Sequence, residues 1–306
     1  MAATRSRDAA IRVIKGLELR PEGRSIESAQ HAGFTVCLLL VGTGKATDRS
    51  ARLHNSAYEL MKSPFIYLTS DTADIRSAVA EIRERGIRGA SVSIPYKQDV
   101  MALLDDVDET AKAIGAVNTV VNDNGLLYGY NSDWIGALNA IEERAQIKPG
   151  TRAILAGAGG AGRALAYAFK SRGLKVSIFD RIPEKARSLA ADMDLDFGGT
   201  MDEIASIKNF DVIANATPVG SRVGGYAGES VIPSRALEEA KGAIAFDAVY
   251  LPNKTKFLQD AESHGLITVG GAGMLLHQAV FQVEKFTGGT APVEVMRKAL
   301  MDSLKE

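Results

Sequence analysis

The chain has 306 residues, 46% apolar and 24% charged, with a formal net charge of -1. That length suits two domains with sizeable cores, and the near-zero charge excludes a global basic field for nucleic acid or an anionic membrane. No apolar run approaches the ~18 residues of a membrane span, and a single cysteine, Cys37, excludes an internal disulfide.

Ala9 to Leu17 has the spacing of a short helix, which Pro21 and Gly23 interrupt. Phe34 to Val41 reads as a buried strand carrying Cys37, a packing residue rather than a nucleophile. A polar loop, Lys45 to Ser50, leads to a helix over Ala51 to Met61, and Phe65 to Leu68 is a second strand. Thr69 to Asp71 could cap a helix over Ala73 to Arg85. Ala90 to Ile94 is a third strand, stopped by Pro95 and followed at once by Tyr96 and Lys97. Strands alternating with helices argue for a parallel α/β unit, and ligands in such sheets sit beyond the carboxyl ends of the strands. Lys97 is therefore either placed for chemistry or a solvent-facing surface lysine.

Short helices are expected over Asp99 to Leu104 and Asp108 to Ile114. Ala116 to Val121 is apolar except for Asn118 and Thr119, and Asn118 is either a bonded structural amide or a ligand contact. Asn122 to Gly125 makes a hairpin turn, with Leu126 to Tyr130 returning. Asn131, Ser132 and Asp133 precede a helix over Trp134 to Arg144; Asp133 is a helix cap or a functional acid.

The most informative stretch follows. Arg152 to Ala156 is an apolar strand entering Gly157, Ala158, Gly159, Gly160, Ala161, Gly162, and a helix runs from about Ala161 to Lys170. Lys175 to Phe179 is the next strand, ending on Asp180, 18 residues past Gly162. This strand–GxGxxG–helix–strand order is a dinucleotide fingerprint. Gly157 would allow the tight turn, Gly159 the approach of a pyrophosphate, and Gly162 close helix packing. The orphan N–H groups of the helix favour phosphate charge. Asp180 can accept bonds from ribose hydroxyls. Gly-rich turns also occur where nothing binds, but the flanking strands and terminal acid favour dinucleotide binding.

Beyond Asp180 a helix is expected over Glu184 to Ala191, with no clear element from Asp192 to Thr200. Phe210 to Ala214 is a strand leading into Asn215 to Gly220, and Ala243 to Phe246 another, ending in Asp247. Thr255 to Ser263 is helical and Leu266 to Val269 a strand. Two last helices, about Met274 to Phe286 and Pro292 to Leu300, need another surface to cover and are expected to return to the first domain. The four histidines show no close pairing and give no metal pattern. The start lacks the order of a secretory signal, and the lone cysteine fits a reducing cytoplasm.

These residues resemble the shikimate dehydrogenase family, including its quinate/shikimate members, over nearly the whole chain after residue 34. Ser91 to Lys97 looks like the segment carrying the catalytic lysine. Gly115 to Thr119 looks like the segment whose Asn118 binds substrate hydroxyls. Asn131, Ser132, Asp133 resembles Asn-Thr-Asp, whose acid partners the lysine. Asn215, Thr217 and Gly220 resemble the loop near the nicotinamide. Tyr250, Pro252 and Thr255 match another active-site loop. Gly273, Met274, Leu275 and Gln278 match the start of the helix whose glutamine reaches the substrate.

The resemblance implies an α/β fold: a parallel α/β substrate-binding domain plus a Rossmann-fold dinucleotide-binding domain, with the active site in the cleft between them. Residues 1–133 with 271–306 would form the first, 134–270 the second. It implies Lys97 and Asp133 as catalytic residues. Ser50, Ser93, Asn118, Tyr250 and Gln278 would bind substrate. Gly157, Ala158, Gly159, Gly160, Ala161, Asp180, Arg181, Thr217, Val249 and Gly271 would hold the cofactor. The reaction implied is reversible hydride transfer between NAD(P) and a ring hydroxyl of a small cyclic hydroxy acid, by a monomer or homodimer.

Two departures stand out. The family's Ser-x-Ser-Pro substrate loop is Asp48, Arg49, Ser50, Ala51 here. Asp48 should repel a substrate carboxylate unless Arg49 or Lys45 offsets it. That leaves room for a different physiological substrate or a cofactor-binding regulator. The Asn-Arg-Thr of NADP-preferring members is Asp180, Arg181, Ile182, which favours NAD.

Overall fold

The computed structural model describes residues 25–43, 48–223 and 225–305. The helix expected over Ala9 to Leu17 and the loop residue Lys45 lie outside them. The chain divides into two compact units: residues up to Asp108 with Val117–Tyr130 and Ala279–Glu306, and Glu109–Ala116 with Asn131–Gln278.

The first unit opens with α1 (Ile26–His31), β1 (Thr35–Gly42), α2 (Arg49–Leu60), β2 (Phe65–Thr72), α3 (Ile75–Glu84) and β3 (Gly89–Val92). β4 (Asp106–Val107), β5 (Thr119–Asp123) and β6 (Leu126–Tyr130) complete a sheet ordered β2-β1-β3-β5-β6-β4. β1 is parallel to β2 and β3, and β5 runs antiparallel to both β3 and β6. Buried on seven of eight positions, β1 is the core strand, and Cys37 is fully buried on it. Burial pushes the Cys37 thiol up to about 12, so it is no nucleophile. The β5–β6 hairpin turns at Asn124 and Gly125, both at positive φ (54° and 92°), the geometry that suits an Asn-Gly pair.

Thr69 to Asp71 is not a cap. It pairs with Leu39 to Val41 and prolongs β2 to Thr72. The cap is Asp74, whose carboxylate accepts the N–H groups of Arg76 (3.0 Å) and Ser77 (3.3 Å). In α3, Ile75, Val79 and Ile82 recur on one buried face. The two-residue β4 was too short to leave a sequence pattern.

The second unit holds α4 (Glu109–Ile114), α5 (Asp133–Glu142), β7 (Arg152–Ala156), α6 (Gly160–Ser171), β8 (Lys175–Phe179), α7 (Pro183–Met193), β9 (Asp196–Gly199), β10 (Val212–Asn215), β11 (Ile244–Asp247), α8 (Lys256–Ser263) and β12 (Ile267–Gly270). Its sheet is parallel throughout, ordered β12-β11-β10-β7-β8-β9. That is the doubly wound order of a dinucleotide-binding domain, with the reversal of strand order between β7 and β10. The edge strand β9 escaped sequence reading because it is short, polar and glycine-rich. Gly198 is required there, since a Cβ would come within 2.2 Å of the Phe179 ring.

Trp134 packs edge-to-face on Tyr167, with ring centroids 5.4 Å apart, as a packing residue should. The last helices are α9 (Gly271–Thr287) and α10 (Val293–Ser303). The unit boundary falls within α9, after Gln278. α10 packs on α2 in the first unit. There Arg88 donates to the Phe286 carbonyl at the end of α9 (2.9 Å) and to the Asn122 carbonyl in the hairpin (2.7 Å).

Candidate active site

In the first unit, polar groups collect beyond the carboxyl ends of the parallel strands. The Ser93 N–H still donates to the Leu40 carbonyl, and the Gly42 N–H to the Ile94 carbonyl, both at 2.9 Å, so the chain leaves the sheet only after Ile94. The Ile94–Pro95 peptide is cis. The Tyr96 hydroxyl then donates to the Thr72 carbonyl at 2.6 Å, fixing the loop to the end of β2. Lys97 is half-buried rather than fully solvent-facing, and its carbonyl accepts the Val117 N–H at 2.7 Å. Ser93, Lys97 and Asn118 are thereby assembled around one strand end. Asn118 is 2% exposed, and its side-chain carbonyl accepts the Thr119 hydroxyl at 2.8 Å.

Ser50 lies in the first turn of α2, and its carbonyl accepts a bond from His54 Nδ1 at 2.8 Å. His54 is buried and stacks on Tyr67 with ring centroids 3.9 Å apart. Burial pushes its pKa down to about 4, against the Ser50 carbonyl, so the imidazole is neutral at pH 7. Asn55 acts as a strand partner to Tyr67, accepting its N–H at 2.8 Å and donating to its carbonyl at 3.0 Å. The His-Asn pair thus anchors α2 to β2. Asp48 is offset by Arg52, one turn on at 2.6 Å, rather than by Arg49.

In the second unit the glycine turn sits at the strand-order reversal. Gly157 has φ of 108°, and a Cβ there would lie 3.0 Å from Ala216 and Thr217. A Cβ on Gly162 would lie 2.0 Å from the Gly157 carbonyl oxygen, so turn and helix touch backbone to backbone. Over Gly159 a Cβ meets nothing within 4 Å, and this residue is the N-cap of α6, which has no side-chain cap bond. A helix N-terminus without a side-chain cap, beside a glycine whose Cβ position is open, fits the pyrophosphate of a dinucleotide. Ala158, Gly160 and Ala161 line the same turn. Asp180 braces it, with its carboxylate accepting the Ala158 N–H at 2.7 Å and the Ile182 N–H at 2.9 Å. Arg181 beside it is exposed.

The tips of β10 and β11 are joined by one side-chain network. Asn215 Oδ1 accepts the Thr217 N–H (2.9 Å) and hydroxyl (2.7 Å), while its Nδ2 donates to Asp247 at 3.0 Å. The fully buried Asp247 also accepts the Val249 N–H (3.0 Å) and the Thr255 hydroxyl (2.5 Å). Burial raises its pKa to about 6, outweighing those three donors. Sequence reading noted Asp247 only as a strand end. Tyr250 follows, half-buried. Gly271 closes the network's far side: its N–H donates to the Val249 carbonyl at 3.3 Å, and a Cβ would stand 2.4 Å from the Ala248 oxygen.

Asp133 is not a helix cap. It is the first residue of α5, 1% exposed, and the side chain of Asn131 takes its N–H at 2.9 Å. Asn131 in turn donates to the Ala116 carbonyl at 2.8 Å. One turn on, a Cβ at Gly136 would lie 3.1 Å from the Gln278 nitrogen, so the missing side chain lets the start of α9 approach α5 near Asp133. Lys97 belongs to the first unit and Asp133 to the second.

Among the described residues no group of acids, histidines and cysteine could hold a metal, and no helix is long and apolar enough to cross a membrane. Two family models match: "Shikimate dehydrogenase substrate binding domain" over residues 40–120 and "Shikimate 5'-dehydrogenase C-terminal domain" over residues 271–301. The shikimate dehydrogenase (NADP(+)) of Dehalococcoides mccartyi is 36% identical over 277 residues, 87% of this chain and 96% of the relative. The chain belongs to the shikimate dehydrogenase family. Its fold matches that of shikimate 5-dehydrogenase from Thermus thermophilus in complex with NADP(H) and shikimate, with a TM-score of 0.80, 31% identity, and coverage of 89% of this chain and 100% of that one. It also matches quinate dehydrogenase from Corynebacterium glutamicum in complex with NAD, with a TM-score of 0.79 at 29% identity, covering 88% and 99% of the two chains.

Proposed function

We propose that this chain is an NAD(P)-dependent oxidoreductase. It transfers hydride reversibly between the nicotinamide and a ring hydroxyl or ketone of shikimate, quinate or a related cyclic hydroxy acid. The observation that carries this reading is the 36% identity to a shikimate dehydrogenase along 87% of the chain, with Lys97, Asn118, Asp133 and Gln278 standing in the motifs that resemble the family's.

The glycine turn with Gly157, Gly159 and Gly162 would hold the pyrophosphate. Thr217, Val249 and Gly271 would border the nicotinamide, which supplies the hydride acceptor in one direction and the donor in the other. Lys97 pairs with Asp133 in this reading. As an amine, Lys97 takes the proton of the hydroxyl being oxidised; as an ammonium, it stabilises negative charge on oxygen and returns that proton in the reverse direction. Asp133 orients the lysine and neutralises its charge. Asn118 and Gln278 position ring hydroxyls, with Ser50, Ser93 and Tyr250 completing the pocket.

Asp180 is an acidic residue just past the end of β8, where it disfavours a 2'-phosphate, so NAD is the expected coenzyme although the relatives' names carry NADP(+). Asp48 and Ala51 favour a second reading, in which shikimate is a poor substrate and another cyclic hydroxy acid the physiological one. The Arg52 ion pair reduces the repulsion Asp48 would exert. The enzyme is expected to be cytoplasmic, as a monomer or homodimer.

The test is a dehydrogenase assay over a panel of cyclic hydroxy acids with both coenzymes under matched conditions. The reading predicts turnover of shikimate or quinate at a higher kcat/KM with NAD. Turnover only of another acid in the panel establishes the second reading. No turnover of any member with either coenzyme defeats both, and a strong preference for NADP defeats the role given to Asp180.

A further inference from the structure

Three residues outside the motifs' assigned roles surround Asn118, and their hydrogen bonds run in one direction. Gln282 lies one turn after Gln278 on α9 and is 4% exposed. Its Oε1 accepts the Ser91 hydroxyl at 2.8 Å. Its Nε2 donates to Thr119 Oγ1 at 3.1 Å and faces the Asn118 backbone carbonyl at 3.5 Å. The Thr119 hydroxyl donates to Asn118 Oδ1 at 2.8 Å. Ser91 and Thr119 are cross-strand partners on β3 and β5, so the sheet itself sets the spacing that Gln282 spans.

One group sets the polarity of this chain, because the Asn118 backbone carbonyl can only accept. A hydroxyl has one proton. Gln282 Nε2 faces that backbone carbonyl, so the amide nitrogen is also the end that reaches Thr119, and Thr119, accepting there, gives its proton to Asn118 Oδ1. Gln282 must therefore turn its amide nitrogen to Thr119 and its oxygen to Ser91. With its carbonyl held by Thr119, Asn118 presents its amide nitrogen as the end able to donate. All four groups are buried, where a reversed Gln282 amide would set its oxygen against the Asn118 carbonyl.

We propose that Gln282 and Thr119 are positioning residues that fix the Asn118 side chain as a hydrogen-bond donor, so that it recognises a ring hydroxyl by its oxygen lone pair. The proposal rests on the reading of Asn118 as a substrate contact. Thr119→Val keeps the shape but removes both ends of the relay. Thr119→Ser keeps the hydroxyl. Gln282→Leu removes the outer donor.

The experiment measures KM for substrate and coenzyme, kcat and thermal midpoint for these three variants and for Asn118→Ala. The expected result is a substrate KM raised about tenfold in Thr119→Val, a hydrogen bond's worth of recognition. Coenzyme KM should stay unchanged, Thr119→Ser should be close to wild type, and Gln282→Leu should shift in the same direction. Combining Thr119→Val with Asn118→Ala should add little to Asn118→Ala alone. An Asn118→Ala effect with no Thr119→Val effect would overturn the relay and leave Asn118 in place as a contact. No effect of Asn118→Ala would overturn the contact and the relay together. A rise in both KM values with a lowered thermal midpoint, or failure of Thr119→Ser to rescue, would reduce the cluster to a structural one.

Discussion

The two units place buried polar networks at their strand ends in opposite ways. In the first, the network is neutral: Ser91, Thr119, Asn118 and Gln282 exchange hydroxyl and amide bonds, and the nearby His54 is held uncharged. In the second, carboxylates organise the loops: Asp180 gathers backbone N–H groups at the glycine turn, and Asp247 gathers three donors between β10 and β11. Neutral amides and hydroxyls specify direction without repelling an acidic ligand. Carboxylates, half-buried at Asp180 and fully buried at Asp247, instead immobilise loops whose own N–H groups must face a phosphate, with a desolvation cost that is largest at Asp247. The difference follows what each unit is proposed to bind.

The sharpest way to break this contrast is inside the glycine turn. Gly162→Ala drives a Cβ against the Gly157 carbonyl, and it is expected to destabilise the fold by about 2 kcal/mol or more and abolish coenzyme binding. Gly159→Ala meets no protein atom. Its thermal midpoint should be unchanged while the coenzyme Kd rises roughly tenfold, the cost of crowding a phosphate contact. Equal behaviour of the two variants in calorimetry and coenzyme titration would contradict the open-cradle reading.

The opposed networks also predict opposed pH dependences. The folded-state pKa of Asp247 is raised from 3.8 to about 6, so the native state holds its proton more tightly and stability falls as pH rises through that window. The pKa of His54 is lowered from 6.5 to about 4, so its contribution is full above pH 6.5 and is lost as pH falls towards 4. Each effect is on the order of 2–3 kcal/mol, and they partly cancel where the windows overlap. Urea unfolding from pH 4 to 7 should show His54→Asn gaining stability on acidification and Asp247→Asn losing it. Parallel slopes would remove the contrast.

The smallest effect concerns the loop before α2. Asp48→Ser breaks a half-exposed ion pair with Arg52 and should change stability by only about 0.5 kcal/mol. The KM for a carboxylate substrate should fall a few-fold. A raised KM would show that Asp48 helps rather than hinders binding.

Much of this was legible in the sequence. The glycine turn could be read because its backbone needs leave residue-type signatures at fixed spacing: positive φ at Gly157 and helix contact at Gly162 both exclude a side chain. The Asn124–Gly125 hairpin was legible for the same reason. β9 was hidden because an edge strand need not be apolar, and Asp133 stayed open between a cap and a functional acid because the two look alike before a helix. Asp247, Thr119 and Gln282 carry no local signal. Their significance arises from partners as far as 191 residues away in sequence, though the four-residue step from Gln278 to Gln282 on one helix face was a clue in plain view.

The central claim is that Lys97 and Asp133 act as one proton-handling pair. A double-mutant cycle in kcat tests it most directly, using Lys97→Ala, Asp133→Ala and the double variant, with coenzyme Kd measured on each. The account predicts that each single change lowers kcat about 10²- to 10⁴-fold, that the double variant loses little more than the worse single one, and that coenzyme Kd stays within about twofold. Losses that multiply, or near-normal turnover in Lys97→Ala, would contradict it.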